Sequence, residues 1–325
     1  MSEYKALSVR ECAEAILKIE RPLVLMHARP DGDTAGTCSA LCKVFRMLGR
    51  EPKYLCADRI PARLSFILEG ESEADRAELS AYEPVAVDVA SVAQLGSVYG
   101  IIPRPCLMID HHELGAPFAD NYIIPGASSG AEVLMMVCEE LIAMGRIKLT
   151  RELAYALYVG ICSDTGGFRY SCNTANTMRR AALLMETGID WSDISHRLFS
   201  AKTAEQLAAE GFISKNMRTA AGGRVAYAGV SREERAALGA EFSDFETSVD
   251  IIRSLLGVEI SFVVKETDEG EFRVSIRSVG ADVALIAAHF GGGGHIRAAG
   301  CTVKAGSVGE AERLVLDKIL QVYYK

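Results

Sequence analysis
Apolar positions follow two rhythms along the 325-residue chain. Pro22 to His27 is a short apolar run that ends in polar residues, and from Asp33 to Leu48 apolar side chains recur at Ala35, Leu41, Val44, Phe45 and Leu48, the spacing of one helix face. This predicts strand, loop, helix. Short apolar runs at Val85 to Val87 and Cys106 to Ile109 have the character of buried strands in a parallel sheet. Helical spacing covers about Ser129 to Met144, Arg151 to Ile161 and Thr174 to Glu186, and Gly188 closes the last of these. The N-terminal half therefore reads as an α/β domain with a doubly wound, mostly parallel sheet. The stretch from Asp190 to about Lys215 reads as helices without strands. Beyond it, strands near Arg224 to Ala228, Val258 to Lys265 and Glu271 to Arg277 alternate with helices. The expected organisation is a domain over residues 1–189, a helical connector over 190–215 and a smaller α/β domain over 216–325.

Composition narrows the classes without choosing one. Hydrophobic residues make up 49% and charged residues 24%, enough for a sizeable core in each of two domains. Glu3, Glu11 and Glu14 interrupt the first apolar stretch, which argues against a secretory leader, and runs such as Leu153 to Cys162 fall well short of the roughly 20 residues that cross a bilayer. Nine cysteines without CxxC pairs suit a reducing cytoplasm better than a disulfide framework or a zinc-thiolate site. A formal charge of −8 disfavours a surface that tracks duplex DNA. Any nucleic-acid substrate should be short. The oligomeric state stays open, with a homodimer among the options.

The polar residues at the strand ends carry the candidate chemistry. Ligands of open parallel sheets sit beyond the carboxyl ends of the strands. There the first strand runs into His27-Ala-Arg-Pro-Asp31-Gly-Asp33, the second ends in Asp88 and the third in Asp110-His111-His112. Gly32 is expected to let Asp31 and Asp33 project from a tight turn, after Pro30 has fixed the backbone. Asp164 stands where an apolar helix gives way to Gly166 and Gly167. A lone Asp after a strand is usually a cap or turn residue. Several in this order, with three of the chain's six histidines, describe a metal site. Oxygen donors mixed with imidazole favour Mn²⁺, with Mg²⁺, Fe²⁺ or Co²⁺ behind it, and two ions relieve the carboxylate crowding better than one. In the C-terminal half, Gly291, Gly292, Gly293 and Gly294 precede His295. Such a run can approach a ligand closely and turn its N–H groups inward as an anion nest. It follows an apolar helix and lacks the spacing of a dinucleotide or P-loop fingerprint. His196 and His289 fall outside every motif.

In order, HARPDGDTAG, the isolated Asp88, IDHH and GICSDTGGFRYSCNTANT resemble the four motifs of the DHH phosphoesterase family. GGGGHIRAAG resembles the signature of the DHH-associated C-terminal domain, and size and spacing are most similar to the nanoRNase/pAp phosphatase branch. The resemblance implies one metal at His27, Asp31 and Asp88 and a second at Asp33, Asp88, His111 and Asp164. It makes His112 a contact to the scissile phosphate and puts Asp110 behind an imidazole. The glycine run, His295 and Arg277 would hold the substrate's phosphate. Arg29 departs from the family, which often has a smaller polar residue there. The implied activity is two-metal hydrolysis of 3′-phosphoadenosine 5′-phosphate (pAp) or very short oligoribonucleotides. Linear and cyclic dinucleotides such as pApA and cyclic di-AMP are the alternatives within that chemistry, and a nucleotide-binding regulator without activity is the alternative outside it. GGGGH argues against pyrophosphate, whose hydrolases in this superfamily carry another second domain.

Overall fold
The computed structural model describes residues 4–324, which form two compact units that divide between Ala201 and Lys202. In the first unit, helix α1 (Val9–Lys18) starts at a capping box in which Ser8 and Glu11 exchange hydrogen bonds. There follow β1 (Pro22–Leu25), α2 (Gly32–Met47), β2 (Lys53–Leu55), β3 (Glu83–Val87), β4 (Leu107–Asp110), β5 (Asp120–Ile123), α3 (Gly130–Ala143), α4 (Arg151–Asp164), α5 (Ala175–Glu186) and α6 (Trp191–Phe199). The five strands are all parallel, in the order β2-β1-β3-β4-β5.

Both faces of this sheet are buried, which is why its strands read as unbroken apolar runs. Val24, Val85, Val87, Leu107 and Ile109 pack against α1 to α4 on one side. Leu23, Leu25, Ala86 and Met108 point the other way, onto short 3-10 segments that carry Leu79, Leu95 and Val98. From β1 the chain goes to β2 on one side and then crosses to β3 on the other. The sheet order thus reverses between β1 and β3, where a crevice opens at the strand ends. Strands β2 and β5 were not among the expected elements: at three and four residues, without alternation, they leave little pattern to read.

The second unit begins with α7 (Ala204–Asn216), followed by β6 (Arg218–Ala220), β7 (Val225–Val230), α8 (Arg232–Ala237), α9 (Ser248–Arg253), β8 (Ile260–Glu266), β9 (Phe272–Ser278), α10 (Val283–His289), β10 (Gly293–His295), β11 (Ala298–Val303) and α11 (Val308–Tyr323). Its sheet runs β10-β11-β9-β8-β7-β6, and only β7 and β8 are parallel. Helices α10 and α11 cover one face, with Phe262, Val274, Ile276 and Val303 beneath them. Helices α7 and α9 cover part of the other, over Ala226, Ala228 and Val263. The stretch expected to act as a connector is shared out: α6 packs on α4, and α7 packs on β7 and α9. Each has an apolar side to bury, Ile194 in α6 and Ala209 with Ile213 in α7.

Candidate metal centre
Four segments deliver acids and imidazoles to the crevice beside β1 and β3. His27 follows β1; its Nδ1 lies 2.8 Å from the Ala28 carbonyl, so Nδ1–H donates there and Nε2 faces Asp31 at 3.7 Å and Asp88 at 3.6 Å. His111, just past β4, is held likewise: Nδ1 is 3.2 Å from the Ala127 carbonyl, and Nε2 stands 3.4 Å from Asp88, 3.5 Å from Asp164 and 4.0 Å from Asp33. Both rings therefore turn the nitrogen that remains free toward carboxylates, the orientation that metal-binding histidines require. Asp88 faces both. Its backbone is left-handed, φ 56°, as is that of Arg29 at the same value, a conformation that costs an L-residue energy and turns the chain sharply after β3.

Asp31 and Asp33 reach the site by different means. Asp31 is the N-cap of α2: its Oδ1 accepts the N–H groups of Asp33 and Thr34, at 3.0 and 3.1 Å. Asp33 is fully buried in the first turn of α2 and accepts from the N–H groups of Gly130 and Ala131, at 2.6 and 3.0 Å, and from the Thr37 hydroxyl. The expectation of a tight turn freed by Gly32 is corrected here. Gly32 is the first helical residue of α2, and a Cβ on it would lie 2.7 Å from that of Ser163. Its small size lets α2 meet the end of α4, where Asp164 is the last residue. Sequence reasoning missed the amide pair at the start of α3. Its signal was Ser129-Gly-Ala-Glu132, the spacing of a helix start, in which the Ser129 hydroxyl accepts the Glu132 N–H.

The charges are mutually perturbing. Burial pushes the Asp33 carboxyl well above the usual range, and Asp88 and Asp164 push it further. Burial together with Asp88 and Asp31 raises Asp164 to about 7. For Asp88, burial works against charge but the imidazoles of His111 and His27 outweigh it and hold the group low. Asp31 and Asp88 carry His27 to about 11, and Asp88, Asp33 and Asp164 carry His111 to about 10, each against the opposing effect of burial. His112 stands apart: its Nδ1 donates to Asp110 at 2.7 Å, a bond that raises its pKa, and the ring is the most open of the three. Ligand atoms of His27, Asp31 and Asp88 lie within 4.8 Å of one another, as do those of Asp33, His111 and Asp164, and of Asp88, His111 and His112. Crowded carboxylates with raised pKa values and imidazoles with fixed Nδ1–H groups form a donor set that suits divalent cations.

In the second unit, Arg277 of β9 pairs with Ala298 of β11, which pairs with His295 of β10, so the three form one cross-strand row. The glycine run is not the inward nest expected of it. The N–H groups of Gly291 and Gly292 donate to the carbonyls of Ala288 and Ala287 at the end of α10, while Gly293 and Gly294 lie in the edge strand β10. A Cβ on Gly292 would come within 2.6 Å of that of Cys301, and one on Gly294 within 2.6 Å of the Ala298 carbonyl. These two glycines are needed so that β10 can lie close against β11.

An all-parallel sheet with histidines and aspartates gathered at its switch point is the arrangement expected of an α/β protein with a divalent-metal centre of the hydrolase type. The comparisons with known proteins make the assignment specific. Residues 21–161 match the DHH family, N-terminal domain, and residues 222–323 match the DHHA1 domain. The chain belongs to the DHH family. It is 30% identical to the bifunctional oligoribonuclease and PAP phosphatase NrnA of Thermus thermophilus over 96% of this chain and 93% of that one. It is 26% identical to the protein of the same name from Bacillus subtilis, over 90% and 91%. Cyclic-di-AMP phosphodiesterase GdpP of Geobacillus thermodenitrificans is 26% identical over 94% of this chain but 48% of its own length. Among solved structures, an exopolyphosphatase-related protein from Bacteroides fragilis shares the fold, with a TM-score of 0.86 and 23% identity over 97% of this chain and 96% of that one. Among the described residues, no helix is long and apolar enough to cross a membrane.

Proposed function
We propose that the chain is a two-metal phosphohydrolase of short oligoribonucleotides and of pAp, with manganese as its working ion. The observation that carries this reading is the convergence of His27, Asp31 and Asp88 with Asp33, His111 and Asp164, since Asp88 stands close to the imidazoles of both groups. In this reading His27, Asp31 and Asp88 hold one ion, and Asp33, Asp88, His111 and Asp164 hold the other. Bound divalent ions supply positive charge to a phosphoryl group and acidity to water. The protein's own side chains do the rest. Asp110 accepts from His112 Nδ1–H and raises the pKa of the ring, which favours the imidazolium form whose Nε2–H donates to an oxygen of the scissile phosphate. Arg277 and His295, with Gly292 and Gly294 letting the edge strand lie close, hold a phosphate of the substrate. The names of the relatives support the substrate class, and the likeness to a cyclic-di-AMP phosphodiesterase keeps dinucleotides as the second reading.

The test is a panel of pAp, pApA, RNA of a few units, cyclic di-AMP and pyrophosphate with Mn²⁺, each repeated after chelation. Chelator-reversible release of phosphate from pAp and of mononucleotides from short RNA is the expected result. Inertness toward every nucleotide in the panel would leave a binding protein in place of an enzyme.

A further inference from the structure
The open side of the second unit's sheet carries more positive charge than one phosphate contact uses. Alternate residues of a strand share a face at ~6.7 Å intervals, so Arg273, Ser275 and Arg277 of β9 line up along one side. Cross-strand register sets Thr302 and Gly300 of β11 beside Arg273 and Ser275, and Lys265 of β8 beside Arg273 on the other flank. Outward from β9 this side is uncovered: Arg273, Gly300, Thr302, Gly293 and His295 are exposed. At its covered border three cations converge on the ring of Phe242. Lys265 Nζ lies 4.6 Å from the centroid, and the guanidinium carbons of Arg235 and Arg273 lie 5.7 and 5.8 Å away.

Only one of the three cations is neutralised at close range. Arg235 pairs with Asp268 at 2.8 Å, whereas among the described residues no carboxylate lies within ion-pair distance of Lys265 or Arg273. Lys265 is 5% exposed. Burial pushes its amine down to about 8; Glu246 opposes that shift, and Arg273 and Arg277 add to it. A buried ammonium without a counter-ion is costly, and an arriving anion would relieve it. Arg277 is already partly compensated by Asp250, 3.9 Å from its Nε. The surplus of charge therefore lies at the Arg273 end.

We propose that Lys265 and Arg273, with the Ser275 hydroxyl between Arg273 and Arg277, form a second anion subsite on this sheet face, which takes the phosphodiester backbone of an oligonucleotide beyond the phosphate held at Arg277 and His295. The inference rests on the reading of that face as substrate-binding, and adds a basis for preferring oligonucleotides to pAp. From Arg273 to Arg277 the strand rises ~13 Å, about two internucleotide steps of an extended single strand and longer than the single ribose that separates the two phosphates of pAp. The π-face of Phe242 is taken by cations, so the subsite reads charge rather than base identity.

Arg273 is exposed, so its substitution tests the subsite without emptying a core. KM for pAp and for a pentaribonucleotide would be measured over a salt series for the wild type, Arg273→Gln and Arg273→Lys. In Arg273→Gln the ratio of the pentanucleotide KM to the pAp KM should rise about tenfold, the scale of one lost charge-assisted contact. The salt dependence of the pentanucleotide KM should flatten by ~0.7 in log–log slope, and Arg273→Lys should restore it. An unchanged ratio, or equal shifts for both substrates, overturns the subsite. If the wild type hydrolyses neither substrate, the proposed function fails separately. The subsite is then judged by fluorescence anisotropy of a labelled pentanucleotide, where equal Kd and salt slope in wild type and Arg273→Gln would overturn it.

Discussion
Asp88 is the residue on which both halves of the proposed centre depend. Its carboxylate faces His27 on one side and His111 on the other, and it is held ionised by them despite burial. Asp88→Ala should lower hydrolysis by at least about a thousandfold while far-UV circular dichroism stays unchanged; near-normal turnover with Mn²⁺ would contradict the assignment. Asp110→Asn is a milder case. It loses the charge that anchors His112, its side-chain hydrogen bond being to that ring and not to a proposed ligand, so kcat should fall about 10–100-fold with bound metal unchanged. His295→Ala should raise KM for pAp far more than it lowers kcat, and a change confined to kcat would remove it from substrate binding. The acids and histidines of this site were legible in the sequence because each stands at a strand or helix end, where an apolar run stops. The groups that hold them were not. The Ala28 and Ala127 carbonyls and the Gly130 and Ala131 amides are backbone atoms, set by chain direction rather than by residue type.

At the scale of elements, the crossing of α2 and α4 sets how close Asp33 and Asp164 come. A Cβ on Gly36 would lie 2.7 Å from the Gly160 nitrogen and 2.8 Å from the Ala156 carbonyl. Backbone atoms cannot yield as side chains do. Gly36→Ala should therefore cost about 1–3 kcal/mol of stability, measured as a lower denaturant midpoint at an unchanged m-value. In the second unit, Lys265 gives β8 a pH signature. Its folded-state pKa, about 8, lies below its ordinary 10.5, so the unfolded chain binds the extra proton between those values and stability rises with pH across that window. Below about 8 both states are protonated and the full penalty of the buried ammonium is present. Lys265→Met should flatten the rise in thermal denaturation between pH 8 and 10, and a wild-type curve already flat there would contradict the burial argument. The long helices were legible from their periodicity. Strands β2, β5 and β10 were not, since three or four residues hold no full alternation and β10 is glycine and histidine in composition.

At the scale of the whole chain, the two-part organisation followed from a restart of strand and helix pattern after residue 215, whereas the compact units divide at Ala201. The difference arises because α7 spends its apolar side on the second sheet, a tertiary preference that periodicity within α7 does not reveal. Sheet order was equally hidden. The reversal between β1 and β3, which opens the crevice at His27 and Asp88, depends on which strands pair, and apolar runs alone do not say. The most direct measurement is the number of manganese ions bound per chain, by calorimetric titration of the metal-free protein. Two ions per chain in the wild type, with binding lost at both sites in Asp88→Ala, is the expected result. A wild-type chain that binds no manganese, or an Asp88→Ala chain that binds two as tightly as the wild type, would contradict a metal pair held by these side chains.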